Sequence, residues 1–210
     1  MKIDINTKMI TLLGKPLGQS FAARMQNAGY EAAGLNMLYF YTEVDKDHLG
    51  DVVNGLRYMN FAGFAVTKPN KVRVLRYLDE LDPLCKKMGA SNTVVKTPEG
   101  KLIGYNTDGV GFYTSLVEEG KINVEESTFC FGAGGAGRAM CSVLAYHGAK
   151  KIYITDFYEP CAESLVMDIN ENFAPVAELV HHGDYAKIAE CNVVMNASGI
   201  GMGSTIGQTP

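Results

Sequence analysis

The sequence predicts an α/β protein in which short strands alternate with amphipathic helices along the whole chain. Three observations lead to this fold class: the alternation of apolar runs with helical periodicity, the turn residues that close each run, and a glycine-rich turn in the second half. The 210 residues include 23 glycines, well above the usual share of about 7%. They cluster in predicted turns, as expected for a fold with many strand-to-helix connections.

Five strands are predicted before residue 120, each as a short apolar or alternating run bounded by turn residues. They are Met9–Leu13, Leu38–Val44, Gly63–Val66, Asn92–Lys96 and Leu102–Tyr105. The segment Thr97–Gly100 joins the last two strands, and its proline and glycine favour a hairpin turn.

Four helices are predicted between or after these strands: Phe21–Ala33, Lys46–Met59, Val72–Leu81 and Thr107–Glu119. Ser20 and Asp45 stand where the N-caps of the first two helices are expected. Because strands separated by helices usually pair in parallel, we expect a mostly parallel sheet. A polar segment after Gly120 places a domain boundary near residue 120, which assigns residues 1–120 to one domain and 121–210 to a second.

A glycine-rich turn opens the second domain, between a strand over Thr128–Phe131 and a helix over residues 139–146. Its glycines fit the pattern G-x-G-x-x-G. In that pattern the first glycine permits a tight turn, the second lets a pyrophosphate approach the backbone, and the third lets helix and strand pack closely. The turn residues assigned to cofactor binding are Gly132, Ala133, Gly134, Gly135, Ala136 and Gly137.

A second strand, Lys151–Thr155, ends in Asp156, which lies 19 residues after Gly137. A carboxylate at this place can accept hydrogen bonds from an adenosine ribose. Alternatively Asp156 caps the next helix, and the two roles are compatible. Strand, turn, helix, strand and acid together predict a Rossmann-type dinucleotide-binding domain.

Composition and charge exclude several classes of partner. The net charge of −4 offers no basic footprint for nucleic acid or an anionic membrane. The five cysteines lack metal-type or C-x-x-C spacing, which favours reduced thiols in a cytoplasmic protein. The pair His181-His182 does not indicate a metal site, since adjacent side chains on a strand point to opposite faces.

Three polar clusters stand at the ends of predicted strands in the first domain, at residues 66–71, 89–93 and 104–109. Each alone is explained as a capped turn, because Thr, Asn and Asp beside Gly or Pro are ordinary turn residues. Three clusters at successive carboxyl-end turns of one sheet instead indicate a ligand site, since open α/β sheets bind ligands at that edge.

Together these motifs resemble the shikimate dehydrogenase family, most closely its quinate/shikimate dehydrogenase branch, over residues 10–202. Six runs in order carry the resemblance: Gly14–Ser20, Val66–Lys71, Gly89–Thr93, Gly104–Gly109, Gly132–Ala136 and Asn196–Met202. It implies a substrate-binding catalytic domain over 1–120 and a Rossmann domain over 121–210. Because relatives continue for several tens of residues further, we expect the second domain and its nicotinamide site to be incomplete at this length.

The resemblance makes Lys71 and Asp108 the catalytic pair. Oxidising a secondary alcohol by hydride transfer to nicotinamide requires the hydroxyl proton to leave, and a lysine can shuttle that proton while a carboxylate orients the substrate. The alternative for Lys71 is a surface lysine at a helix start. The resemblance also assigns substrate binding to Ser20, Thr67 and Asn92, with helpers Gln19 and Gln26, and cofactor binding to Phe157, Asn196, Ala197, Ser198 and Met202.

Two departures from the family pattern affect specificity. The first motif is usually S-x-S-P, whereas the run here is Ser20-Phe21-Ala22-Ala23, so one anchor for the substrate carboxylate is absent. The preferred acid therefore stays open among shikimate, quinate, an amino-shikimate and other cyclic hydroxy acids. NADP users carry Asn-Arg after the second Rossmann strand, whereas this chain has Asp156-Phe157. Because a carboxylate repels a 2′-phosphate and suits a free ribose diol, we expect NAD to be preferred, with NADP possible.

Two other functions stay open on sequence grounds. A non-catalytic sensor of the same fold would bind dinucleotide or ring acid, although it would not need Lys71 and Asp108. A folate-type dehydrogenase also uses a lysine beside a Rossmann unit, although the run Asn106–Gly109 favours a polyol ligand. The sequence predicts no metal, no membrane and no nucleic-acid partner, and it leaves open whether the protein is a monomer or a homodimer.

Overall fold

The computed structural model describes residues 3–18 and 20–210, which divide into two compact units. The first comprises the described residues up to Lys86 together with Ala90–Asn106, and the second comprises Lys87–Gly89 with Thr107–Pro210. The division at Asn106 differs from the boundary predicted near residue 120. Helix α4 (Thr107–Thr114) accounts for the difference, because it packs against helix α5 (Gly135–Tyr146) of the second unit.

The first unit contains a six-stranded mixed sheet with the strand order β2-β1-β3-β5-β6-β4. Its strands are β1 (Lys8–Gly14), β2 (Met37–Glu43), β3 (Phe61–Val66), β4 (Glu80–Leu81), β5 (Thr93–Lys96) and β6 (Leu102–Tyr105). Strands β2, β1 and β3 are parallel, whereas β5 runs antiparallel to both β3 and β6, which confirms the predicted hairpin. The cluster at 89–93 therefore precedes a strand instead of following one, yet the reversed direction of β5 brings it to the carboxyl edge of β1 and β3.

Three helices connect these strands: α1 (Ala22–Ala32), α2 (Leu49–Tyr58) and α3 (Pro83–Met88). The predicted N-cap role of Ser20 is wrong, because Phe21 is the N-cap of α1. The core lies between α2 and the sheet, where Leu13, Leu49, Val53 and Phe64 are almost fully buried.

The helix predicted over Val72–Leu81 is replaced by a short 3₁₀ turn, Arg73–Tyr77, followed by strand β4. The Arg57 guanidinium donates to the Tyr77 carbonyl at 2.8 Å and pairs with the Asp79 carboxylate. Asp79 then exchanges two hydrogen bonds with Leu102 of β6, at 3.0 and 2.7 Å. Because of these contacts, the end of the segment pairs with β6 as a strand and does not form the helix that its periodicity predicts.

The second unit contains a four-stranded parallel sheet with the order β10-β7-β8-β9. Its strands are β7 (Ser127–Phe131), β8 (Lys151–Thr155), β9 (Ala177–Leu179) and β10 (Val193–Asn196). Its helices are α4, which continues as a π-helical turn over Ser115–Glu119, then α5 and α6 (Glu159–Asn172). The chain reverses its direction across the sheet between β7 and β10, and such a switch point is where doubly wound folds bind ligands.

Across residues 3–18 and 20–210, none of the helices has the length and apolar character needed to span a membrane. The same described residues contain no cluster of histidine, cysteine and carboxylate side chains that could hold a metal ion. All five cysteines are free thiols, and those at 85, 130 and 141 are buried.

Candidate functional site

The three motif glycines occupy different environments in the turn after β7. Gly132 has a φ of +102°, and a Cβ added there would lie 2.6 Å from the Ser198 nitrogen. A Cβ on Gly137 would lie 2.0 Å from the Gly132 carbonyl oxygen, so the start of α5 packs directly on the turn. Gly134, the N-cap of α5, is exposed and has open space where a Cβ would be. This arrangement leaves the second glycine for the approach of a ligand.

Asp156, directly after β8, is held by two backbone donors. Its Oδ2 accepts from the Ala133 N–H at 2.7 Å, and its Oδ1 accepts from the Tyr158 N–H at 2.9 Å. The first bond ties the carboxylate to the glycine turn, and the second shapes the start of α6. An ionised carboxylate has about four acceptor positions, so two hydroxyl donors can still be accommodated.

A cavity of about 400 Å³ opens beside Asp156 at the carboxyl edge of the second sheet. Of the predicted cofactor residues, its wall includes Gly132, Asp156, Phe157 and Ser198. The remaining lining residues are Phe131, Thr155, His182, Tyr185, Gly199, Ile200, Thr205, Gln208 and Pro210. Among these described lining residues none is a lysine or an arginine, and Asp156 is the residue with a carboxylate side chain.

His182 and Tyr185 contribute to this cavity although the sequence does not assign them to it. The Tyr185 hydroxyl lies 3.1 Å from His182 Nδ1, and the Phe157 ring meets the His182 ring edge-to-face at 5.5 Å between centroids. Both residues follow β9, and no motif marks that loop. The aromatic lining provides flat apolar surface of the kind that a heterocyclic base requires.

The loop after β10 is shaped by Asn196. Its Oδ1 accepts from the Ser198 N–H at 3.0 Å and from the Ser198 hydroxyl at 2.6 Å, while its Nδ2 donates to the Ile200 carbonyl at 3.0 Å. The Ala197 N–H donates to the Phe131 carbonyl at 2.7 Å, which ties the loop to β7. Asn196 therefore holds the loop that presents Ser198 to the cavity, whereas Met202 is exposed and lies outside the cavity lining.

Arg138, on α5 directly after the glycine turn, is a buried residue that the sequence motifs do not assign. Its guanidinium pairs with the Asp168 carboxylate and donates to the Ser164 hydroxyl at 2.7 Å, both on α6. The pair connects α5 to α6. It therefore fixes α5, whose N-terminus lies at the glycine turn.

In the first unit, backbone hydrogen bonds join the predicted substrate motifs at one edge of the sheet. The Thr67 N–H donates to the Leu13 carbonyl at 2.8 Å, and the Val66 N–H donates to the Asn92 carbonyl at 2.8 Å. The Lys71 carbonyl accepts from the Ser91 N–H at 2.9 Å. Thr67 and Lys71 of one motif and Asn92 of another are thus brought to one edge.

Three buried polar side chains support this edge: Asn70, Ser91 and Asn106. Asn70 Nδ2 donates to the Val44 carbonyl at 3.0 Å, Ser91 Oγ donates to the Tyr105 carbonyl at 2.9 Å, and Asn106 Nδ2 donates to the Ala90 carbonyl at 2.8 Å. Their support roles are not predicted from the sequence, although all three lie inside the motifs described above.

The other predicted residues are placed as follows. Ser20 precedes α1 at the same end of the sheet, and Gln26 is half-buried on α1. Gln19 lies outside the described residues. Asp108 lies in the first turn of α4 and so belongs to the second unit, whereas Lys71 belongs to the first. The catalytic pairing of Lys71 with Asp108 therefore stays a prediction.

Comparisons with known proteins identify related chains. A family model described as the shikimate dehydrogenase substrate binding domain matches residues 12–94. A shikimate dehydrogenase (NADP(+)) from Desulforamulus reducens is 38% identical over 213 residues, which cover 100% of this chain and 73% of that protein.

Two solved structures match in fold as well as in sequence. Shikimate 5-dehydrogenase from Listeria monocytogenes, in complex with shikimate and NAD, has a TM-score of 0.89 and 36% identity, covering 100% of this chain and 74% of that one. Quinate dehydrogenase from Corynebacterium glutamicum, in complex with NAD, has a TM-score of 0.86 and 29% identity, covering 96% and 74% respectively.

Proposed function

The chain belongs to the shikimate dehydrogenase family, and we propose that it interconverts a ring hydroxyl and a ketone in shikimate, quinate or a related cyclic hydroxy acid, with NAD(P) as hydride carrier. The observation that carries this proposal is that each unit brings together its own group of predicted ligand-binding residues. The second unit has the glycine turn and Asp156 beside a cavity, and the first has Thr67, Lys71 and Asn92 at one sheet edge.

The residues of the second unit fit a dinucleotide. Gly134 leaves the N-terminus of α5 open to a pyrophosphate, whose charge is favoured by the backbone N–H groups there. The Asp156 carboxylate is proposed to accept hydrogen bonds from the ribose hydroxyls, and the flat side chains of Phe157 and His182 lie on the same cavity wall. When bound, the nicotinamide supplies or accepts the hydride.

Lys71 of the first unit is proposed to accept the hydroxyl proton during oxidation and return it during reduction, and Asp108 of the second unit is proposed to orient the ring hydroxyl. Ser20, Thr67 and Asn92 are proposed to bind the hydroxyl and carboxylate groups of the ring, with Gln19 and Gln26 as further ligands. Because Ala22 offers no hydroxyl, the preferred ring acid among shikimate, quinate and their relatives is part of the test.

We further propose that NAD is preferred to NADP. Some relatives are named for NADP, and others are solved with NAD. The support in this chain is the Asp156 carboxylate on a wall that, among the described lining residues, has no arginine or lysine to neutralise a 2′-phosphate. A location in the cytoplasm and a monomeric or homodimeric state stay predictions.

The test is a spectrophotometric assay of the full chain with shikimate and quinate, each with NAD and with NADP. We expect reduced nicotinamide to form with at least one of the two acids, and kcat/KM to be higher with NAD. Measurable NAD binding without turnover of any ring acid would contradict the proposal and favour the sensor. Activity confined to a folate substrate would instead favour the folate-type dehydrogenase.

A further inference from the structure

Strand β2 holds the segment that leads into helix α1 through residues at alternate positions. Tyr39, Tyr41 and Glu43 lie two residues apart and therefore share one face of the strand. The side-chain amide of Asn27, on α1, donates to the Tyr39 carbonyl and accepts from the Tyr39 N–H, both at 2.8 Å. The Glu43 carboxylate accepts from the Leu17 N–H at 2.8 Å. The two contacts fix α1 and the loop before it against the edge of the sheet.

Between these contacts, the Tyr41 hydroxyl bridges the start of α1. It donates to the Ser20 carbonyl at 2.6 Å and accepts from the Ala23 N–H at 3.0 Å. The Ala23 N–H belongs to the first turn, where N–H groups have no carbonyl partner within the helix. The bridge forms because residue 23 retains an N–H, which a proline at that position would lack.

The bridge determines how Ser20 is presented. Ser20 Oγ accepts from the Ala22 N–H at 3.3 Å, so its own proton is directed to a different group, which must be an acceptor. A ring carboxylate is such an acceptor. A shift of the Ser20 peptide or of the first turn of α1 would change the direction of this donor, and the Tyr41 hydroxyl holds both.

We propose that Tyr41 is a positioning residue for the substrate: by bridging the Ser20 carbonyl and the Ala23 N–H, it holds the Ser20 hydroxyl as a donor to the carboxylate of the ring acid. The inference rests on the proposed function, because it takes a ring acid as the ligand of Ser20. This chain has alanine at positions 22 and 23, where the family pattern has serine and proline. The Tyr41 hydroxyl, from strand β2, supplies hydrogen bonds that hold this segment in one conformation.

The first test compares Tyr41→Phe in the full chain with the control Tyr58→Phe, since Tyr58 is 91% exposed on α2. Removing the bridge should raise the shikimate Kd, measured by isothermal titration calorimetry, and the KM by about 3- to 30-fold, the loss expected for one or two neutral hydrogen bonds. The cofactor Kd and kcat should change less than about threefold because neither depends on Ser20. A thermal midpoint close to that of the unaltered protein separates this loss from unfolding, and Tyr58→Phe should change none of these values.

Two further variants test whether Tyr41 acts through its partners. Ala23→Pro removes the N–H and places proline where a helix tolerates it. In that background Tyr41→Phe should raise the Kd by a smaller factor than it does alone, since the two changes share a hydrogen bond. In a Ser20→Ala background, Tyr41→Phe should leave the Kd within about twofold.

A Tyr41→Phe protein with unchanged shikimate Kd, or with the same increase in the Ser20→Ala background, would overturn the inference while leaving the proposed function intact. Failure of the unaltered protein to bind shikimate or quinate would overturn both.

Discussion

The two units hold their predicted ligand-binding residues by different means. In the second, the turn is made by backbone geometry, because Gly132 adopts a positive φ and Gly137 leaves no space for a Cβ. In the first, side chains from separate strands and loops are held at one edge by hydrogen bonds from buried groups such as Asn70 and Ser91. The first kind of site is intolerant of added atoms, and the second is sensitive to lost polar contacts.

The largest effect is expected at Lys71, the residue proposed to transfer the proton in the first unit. Lys71→Ala should lower kcat by about 10²- to 10⁴-fold, the usual contribution of a general acid–base group, and should leave the NAD Kd nearly unchanged. Stopped-flow or steady-state absorbance gives the rate, and fluorescence titration gives the affinity. Lys68→Ala, a change to an exposed lysine of the same loop, is the control. A Lys71→Ala protein that keeps its rate would remove the proposed mechanism.

The backbone-built turn should separate stability from binding. Gly137→Ala forces a Cβ to within 2.0 Å of the Gly132 carbonyl oxygen, so we expect a loss of about 1–3 kcal/mol or more in the free energy of unfolding. Gly134→Ala meets open space and should keep the thermal midpoint, but it should weaken NAD binding about tenfold or more by obstructing the pyrophosphate. Equal losses of stability in the two variants would show that these glycines do not have separate roles.

The same difference explains what the sequence could predict. The turn after β7 is encoded by a short continuous run of residues, so the sequence predicts its strand, helix and acid. The three polar clusters at residues 66–71, 89–93 and 104–109 are likewise recognised from short runs. The helix expected over Val72–Leu81 was wrong because the segment pairs with β6, a partner distant in sequence. His182, Tyr185 and Tyr41 could not be assigned, because their contacts depend on loops and strands that only the tertiary structure brings together.

A smaller effect is expected on cofactor choice. Asp156→Asn retains one oxygen that can accept from the Ala133 N–H, so the turn should persist, but it removes the charge. The NAD Kd should rise about 10- to 100-fold, the loss of a hydrogen bond to a charged group, while the NADP Kd stays constant or falls. Calorimetric titration of both cofactors checks this, with Asp184→Asn on an exposed loop as the control. An unchanged ratio of the two Kd values would contradict the role given to Asp156.

The smallest effect concerns stability of the first unit in acid. The hydrogen bond from the Arg57 guanidinium, followed by that from the Leu102 N–H, lowers the pKa of the Asp79 carboxyl below its ordinary 3.8. A lowered pKa in the folded state stabilises the protein above about pH 4, and this contribution is lost as the pH falls through the folded-state value. Because Asp79 is partly exposed, the effect should be below about 1 kcal/mol.

Thermal unfolding is measured from about pH 3 to about pH 7. Over this range, the stability of Asp79→Asn should depend less steeply on pH than the stability of the unaltered protein. Identical slopes for the unaltered protein and Asp79→Asn would show that this pairing contributes nothing to acid stability.

The proposed roles are ring-acid binding by the first unit and dinucleotide binding by the second. A crystal structure of the full chain with shikimate and NAD bound tests them most directly. We expect a ring hydroxyl within hydrogen-bond distance of both Lys71 Nζ and an Asp108 carboxylate oxygen, and the adenosine ribose on Asp156 beside Gly134. A ring acid bound away from Lys71, or a ribose with no contact to Asp156, would contradict these proposed roles.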